Sequence, residues 1–269
     1  MSAPATLELR GVRMVFFAGT PNEVTALAGI DLQVPAGQFV TIIGSNGSGK
    51  STMLNAVAGT FALTAGAVVV DGEDVTRLRE HVRSRLMGRV FQDPRAGTAP
   101  SMTIEENLAI SFMRSRRSGL RWAVTQRRRA QMRAQLSRLD MGLEQRLKAE
   151  VNKLSGGQRQ AMSLIMATVA EPGLLLLDEH TAALDPKVAA TIMDLTGKIV
   201  AEGGLTTLMV THNMELALRW GDRLVMMHAG RIVLDIDREQ KARLSVADLI
   251  AKFHEVAGEA FAVDRLLLE

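Results

Sequence analysis

The chain has 269 residues, of which 47% are hydrophobic and 23% charged, enough to bury a full core and near the upper end of what one domain contains. It contains no cysteine, which excludes disulfides, thiolate nucleophiles and Cys-type zinc sites together. No run approaches the roughly 20 apolar residues that span a bilayer, and the N-terminus lacks the basic-then-apolar order of a signal peptide. The expectation is a cytoplasmic chain that meets a membrane only through partners.

Pro35-Ala36-Gly37 predicts a turn, and Val40, Ile42 and Ile43 after it predict a buried strand running into a glycine-rich loop. Ser51 to Ala58 reads as a helix ended by Gly59. Ala67 to Val70 before Asp71-Gly72 predicts a strand entering a tight turn, and Met87 to Phe91 predicts another strand. From Asp93 to Lys153 the character changes, with Pro94 and Pro100 followed by helical patterns. Thr103 and Glu106 have the spacing of a capping box for a helix over Ile104 to Phe112.

Inside that stretch no acid occurs between Glu106 and Asp140, while Arg114, Arg116, Arg117, Arg121, Arg127, Arg128, Arg129, Arg133 and Arg138 crowd together. Either this is the solvated face of an arginine-rich helix, or Arg114 to Arg138 forms a surface for anionic lipid headgroups or phosphates. Nucleic acid is disfavoured, because Trp122 is the only aromatic between Phe112 and Asp140 and offers no stacking platform.

From Ser155 the alternation resumes, with a helix to Ala170, an apolar strand over Leu174 to Leu177, a helix over Pro186 to Glu202 and a strand over Thr206 to Val210. Four consecutive leucines suit a strand covered on both faces. The residues after His212 suffice for two more strands and a terminal helix around Ser245 to Val256, with no added regulatory domain. The fold class is therefore α/β: a parallel-sheet core over 1–92 and 155–269, interrupted by an α-helical subdomain at 93–154.

Gly44-Ser45-Asn46-Gly47-Ser48-Gly49-Lys50-Ser51 fits G-x-x-x-x-G-K-[ST] at every fixed position. The glycines let backbone N–H groups converge on phosphate oxygens, and the following helix aims its positive end at the same charge. Lys50 is positioned for the β- and γ-phosphates, Ser51 for Mg²⁺ and Thr52 for the α-phosphate. Asp178 and Glu179 end the leucine strand, where open α/β sheets place their ligands. Asp178 suits outer-sphere Mg²⁺ binding, and Glu179 suits polarisation of the attacking water. Together these motifs describe a P-loop nucleotidase.

Leu154-Ser155-Gly156-Gly157-Gln158 matches the LSGGQ signature of ABC ATPases letter for letter, and the chain resembles that family over nearly its whole length. The resemblance implies a RecA-like P-loop core with an antiparallel β subdomain and the inserted helical subdomain. Ser155, with the amides of Gly156 and Gly157 and with Gln158, opens a helix and makes a second phosphate-binding terminus. One chain then carries two phosphate sites but a single lysine loop and a single base. A head-to-tail homodimer resolves this, each ATP lying between the loop of one copy and the signature of the other.

By resemblance, Val90-Phe91-Gln92-Asp93 is the Q-loop, with Gln92 contacting Mg²⁺ and water. Asp185 in Ala183-Leu184-Asp185 belongs to the D-loop, and His212 is the switch histidine for the γ-phosphate. Phe16 in Val12-Arg13-Met14-Val15-Phe16 is offered to stack on adenine, with Phe17 as the neighbouring candidate and simple core packing as the alternative. The family implies transmembrane permease subunits, an extracytoplasmic solute-binding protein and a peripheral position on the cytoplasmic face of the membrane.

His180 departs from the proline that commonly follows the Asp-Glu pair in the family. Asp178-Glu179-His180-Thr181, with Gly19 to Val24 and Leu205 to Met214, resembles a group of bacterial importer ATPases, some linked to uptake of tryptophan or other aromatic amino acids. The short span between Lys50 and Ser155 leaves no room for the coiled coils of DNA-repair types. Ala149-Glu150-Val151-Asn152-Lys153 lacks the Gly-Glu element of exporters. An importer ATPase for a small solute such as an amino acid is the favoured form. A lipid- or lipoprotein-extracting or export complex, and a free-standing ABC ATPase, are the alternatives.

Overall fold

The computed structural model describes residues 5–114 and 124–257. Arg116, Arg117, Arg121 and Trp122 of the basic stretch lie outside the described residues. In chain order the elements are β1 (Ala5–Phe16), β2 (Val24–Pro35), β3 (Phe39–Gly44), α1 (Lys50–Ala58), β4 (Ala65–Val70), β5 (Glu73–Asp74), α2 (Glu80–Arg83), β6 (Met87–Val90), α3 (Ile104–Met113) and α4 (Gln126–Ser137). There follow α5 (Gly156–Thr168), β7 (Leu174–Asp178), α6 (Pro186–Gly203), β8 (Thr206–Val210), α7 (Met214–Arg219), β9 (Arg223–His228), β10 (Arg231–Ile236), α8 (Arg238–Lys241) and α9 (Val246–Ala257). Contacts divide the chain into two compact units, one up to Arg83 and from Thr206 onward, the other Ser84–Leu205.

In the first unit β1 pairs antiparallel with β2 and with β4, placing Leu7 opposite both Val34 and Val70. The alternation Ile30, Leu32, Val34 along β2, with Leu27 beyond a register shift, buries one face of this sheet. The register shifts between Leu9 and Val12, where Gly11 donates its N–H to Asp31 Oδ1 at 2.7 Å. This shift keeps Leu9 and Val12 both buried.

Beside it, β3 lies between β8 and β9, parallel to both, with β10 antiparallel to β9. Every residue of β3 is buried, so its one polar side chain needs internal partners. The single hydroxyl hydrogen of Thr41 is shared between the carbonyls of Ala217 and Arg223, 3.1 and 3.2 Å from Oγ1. Ile43, Leu224, Met226, Leu249 and Phe253 form a core cluster under α9, the terminal helix expected near Ser245.

Arg83, 1% exposed, lies at the far end of α1. Its guanidinium donates to the carbonyls of Ala56, Val57, Thr76 and Leu78, at 2.8 to 3.0 Å. A cation at the negative end of a helix dipole satisfies carbonyls the helix itself leaves open.

In the second unit β6 and β7 pair in parallel, with Val90 opposite Leu177. All four leucines of β7 are fully buried, each contributing roughly 1.5–3 kcal/mol of transfer free energy. A Cβ on Gly88 would lie 2.3 Å from the Ala167 carbonyl, so glycine lets α5 approach β6 at backbone contact. The capping box at Thr103 and Glu106 forms as expected and opens α3. The start of α3 is tied to the segment ahead of α5, since Ile104 and Glu105 donate their N–H groups to Ala149 and Leu147.

Candidate active site

In the first unit β3 delivers the chain at Gly44 into the phosphate loop. A Cβ on Gly44 would lie 2.2 Å from the Met227 carbonyl and 2.7 Å from Ser48 Oγ, so the loop closes only on glycine. Gly49 caps α1 at φ 101° with no side-chain hydrogen bond, which keeps the helix start clear of a competing acceptor. Lys50 is 6% exposed and folds over its own loop, Nζ donating to the carbonyls of Gly44 at 2.7 Å and Ser45 at 2.9 Å. Ser48 Oγ is buried with no hydrogen-bond partner. A buried ammonium, an orphaned hydroxyl and an uncapped helix start in one loop fit a phosphate. Asn46, Gly47 and Ser51 are exposed at the mouth of this cradle and Thr52 is half-buried.

His212 is exposed directly after β8. Thr211 ahead of it donates its N–H to the Ile42 carbonyl at 3.0 Å, which sets His212 beside the strand feeding the cradle. Asn213 behind it caps α7 through Leu216 N–H. Phe16 is half-buried and meets Phe61 edge-on, with centroids 5.5 Å apart and planes at 87°. Phe17 is 69% exposed at φ 53° and is the more available ring.

In the second unit Asp178 ends β7. The register sets Arg89 opposite Leu176, and a strand's period of two brings Asp178 onto the same side. Arg89 Nη2 lies 3.4 Å from Asp178 Oδ2, both side chains being 13% exposed. The Arg89 guanidinium also sits over the Phe91 ring, 4.5 Å from its centroid. The Phe91 carbonyl accepts from Gln160 Nε2 of α5 at 3.3 Å, and Gln92 beyond it is exposed. Sequence reasoning missed Arg89. Its signal was a charge inside an otherwise apolar strand, which calls for a partner.

Glu179 has φ 43°, a left-handed conformation uncommon for a side chain of its size. The turn bends the chain sharply at the residue expected to act as base. His180 after it is fully buried, which pushes its pKa down to about 4. Its Nε2 lies 3.2 Å from Thr196 Oγ1, whose own hydrogen goes to the Ile192 carbonyl at 2.7 Å. Nε2 therefore carries the donated proton, and the imidazole is neutral.

Ser155 caps α5 in a reciprocal box: its Oγ accepts from Gln158 N–H and its N–H donates to Gln158 Oε1, both at 3.2 Å. The Ser155 hydroxyl hydrogen stays available for an anion. A Cβ on Gly157 would lie 2.5 Å from Val188 Cγ1, so α5 and α6 meet closely where the signature begins, beside Gly156. Asp185 caps α6, its Oδ1 accepting from Val188 N–H at 3.0 Å. The sequence motifs thus share two neighbourhoods: lysine loop, Phe16 and His212 in one unit, acids, Gln92, signature and Asp185 in the other.

Residues 27–182 match the family model described as ABC transporter. The chain belongs to the ABC transporter ATP-binding family. This ABC ATPase is 44% identical over 235 residues to the "Tyrosine transport ATP-binding protein" of Clostridioides difficile, covering 87% of this chain and 92% of that protein. It is 37% identical over 220 residues to an "Aliphatic sulfonates import ATP-binding protein" of Agrobacterium fabrum, covering 82% and 76%. Among solved structures it is similar to an ATP-binding cassette in a dimeric post-hydrolysis state bound to ADP and Pi. That likeness has a TM-score of 0.75 at 29% identity and covers 86% of this chain and 98% of the other. The fold is that of a P-loop ABC cassette, and the protein binds and hydrolyses ATP. No helix among the described residues is long and apolar enough to cross a membrane.

The arginine-rich stretch of this ABC ATPase is not one uniform solvated face. Arg129 forms a two-pronged ion pair with Glu105, at 2.8 and 3.2 Å, and holds that carboxyl below the usual range. Arg114 donates to the Ala167 carbonyl at 3.0 Å, and Arg138 pairs with Glu202 at 2.6 Å. Arg127 and Arg133 point to solvent. Arg133 also lines a cleft of about 590 Å³ with Glu105, Arg129, Arg146 and Lys148.

Proposed function

We propose that this protein is the ATP-hydrolysing subunit of a bacterial ABC importer for a small solute such as an amino acid. It works as a homodimer with ATP held between the lysine loop of one copy and the Ser155–Gln158 helix start of the other. The observation that carries the reading is the pairing of two phosphate-type helix starts, at Gly49 and Ser155, with one lysine loop and one strand-end acid pair in a single chain. The dimeric assembly of a similar cassette and the transport role of the 44%-identical relative support it. The solute is assigned by class only, because specificity resides in partner chains.

In this reading Lys50 and the amides from Gly44 to Thr52 hold the phosphates, and Phe16 or Phe17 faces adenine. Ser51 and Gln92 would hold Mg²⁺ together with nucleotide phosphate, and Asp178 would act on it from the outer sphere. When bound, the ion would supply charge neutralisation at the transferred phosphoryl group. Glu179 orients the attacking water, His212 contacts the γ-phosphate and Asp185 places the D-loop at the dimer seam. Functionally the chain divides into a core of 1–92 and 155–269 with a helical subdomain at 93–154. That subdomain faces transmembrane permease subunits at the cytoplasmic face of the membrane, with a solute-binding protein on the far side. Arg127 and Arg133 supply contact with anionic lipid.

Two measurements test this. ATPase rate per chain should rise with protein concentration, and strict proportionality of total rate to concentration over a wide range would argue for a competent monomer. The chain should co-purify with a multi-span membrane protein, and stimulation by a soluble protein instead would favour a free-standing ATPase.

A further inference from the structure

We propose that Arg89 is the resident counter-ion of Asp178 and, by competing with the divalent cation there, sets how much Mg²⁺ this ATPase requires. The inference rests on the reading of Asp178 as a metal-site residue.

The geometry places a permanent cation against the carboxylate. Arg89 and Asp178 are neighbours across parallel β6 and β7, each only 13% exposed, with Nη2 3.4 Å from Oδ2. A carboxylate at the end of a fully apolar strand is poorly hydrated and is costly without a compensating charge. Arg89 supplies it as a planar guanidinium held beside the carboxylate. The separation exceeds the 2.7–2.9 Å typical of a charge-assisted hydrogen bond. Arg89 thus puts a fixed positive charge beside the carboxylate that would serve the divalent cation.

Phe91 keeps the competitor in place. The guanidinium stacks 4.5 Å from its ring centroid, and Phe91 is anchored by Gln160 through its carbonyl. Arg89 therefore stays near Asp178 when metal and nucleotide arrive. Two cations drawn to one carboxylate repel each other, and the repulsion persists where water is scarce. The consequence is a weaker divalent site than Asp178 would make beside a neutral residue, and a nucleotide-free enzyme that does not collect metal.

The test is Mn²⁺ binding, followed by the electron paramagnetic resonance of free Mn²⁺, to the full chain with a non-hydrolysable ATP analogue present. Arg89→Gln should tighten Mn²⁺ about fivefold, and Arg89→Lys, which keeps the charge, should stay within about twofold of the parent. Phe91→Leu, which frees the guanidinium to leave, should shift binding the same way by a smaller factor. It carries the test alone if Arg89→Gln does not fold. Affinity for the analogue without divalent cation should be the same in all variants. Unchanged or weaker Mn²⁺ binding in Arg89→Gln, or in Phe91→Leu where only that variant folds, overturns the proposal. Asp178→Asn separates the two levels: it should weaken Mn²⁺ in the parent, and if it does not, the assignment of Asp178 itself fails and the role of Arg89 falls with it.

Discussion

His180 makes the stability of this ABC ATPase depend on pH in a calculable way. The ring is fully buried and its pKa lies at about 4 against 6.5 for a free histidine, so the folded state binds fewer protons than the unfolded chain. Its contribution is present above pH 6.5 and is lost as pH falls from there toward 4, where the loss levels off. Between pH 7 and pH 5 the difference integrates to about 2 kcal/mol, or about 4–8 °C in melting temperature for a chain of this size. His180→Gln removes the titration while its side-chain amide can still donate to Thr196. Urea unfolding of parent and variant at both pH values isolates the effect: the variant should lose about 2 kcal/mol less between them. Identical pH dependence in the two proteins would refute a buried neutral His180. Because Glu179 is its chain neighbour, acid inactivation should track this loss and also be blunted in the variant.

Three further outcomes are expected. Glu179→Gln should retain ATP in a stable dimer, with phosphate release reduced at least about 100-fold, and unchanged release would remove Glu179 as the base. Arg83→Met should cost about 3 kcal/mol by stranding buried carbonyls at the end of α1, read as a drop of about 6–12 °C in melting temperature. A shift under about 2 °C would mean those carbonyls find other partners. Arg127→Glu with Arg133→Glu should weaken sedimentation with anionic vesicles at low salt and leave ATPase activity unchanged, whereas equal binding would return both residues to an ordinary solvated surface.

The basic stretch shows how composition and structure diverge. Along the sequence Arg114 to Arg138 reads as one block of charge. In the fold Arg129 turns toward Glu105, Arg114 toward a carbonyl of α5, Arg138 toward Glu202 and Arg128 toward the Phe112 ring, which among the described residues of the stretch leaves Arg127 and Arg133 facing outward. Periodicity along one helix does not reveal these pairings, because each partner lies on a different element. The same holds for Phe16 and Phe17: adjacent rings of one type differ in exposure, Phe16 packing against Phe61, a distant residue.

What the sequence by itself determined is the local chemistry. The lysine loop, the capping box at Thr103, the helix start at Ser155, the leucine strand ending in Asp178 and Glu179, and the glycine stop at Gly59 each depend on residues within a few positions, so spacing reveals them. Only the tertiary structure decided which charges meet. Arg89 reaches Asp178 through the register of two strands far apart in the chain, Arg83 closes α1 from a separate helix, and His180 is neutral because α6 covers it. Those are consequences of desolvation and of long-range pairing, and neither is written in any short stretch of residues.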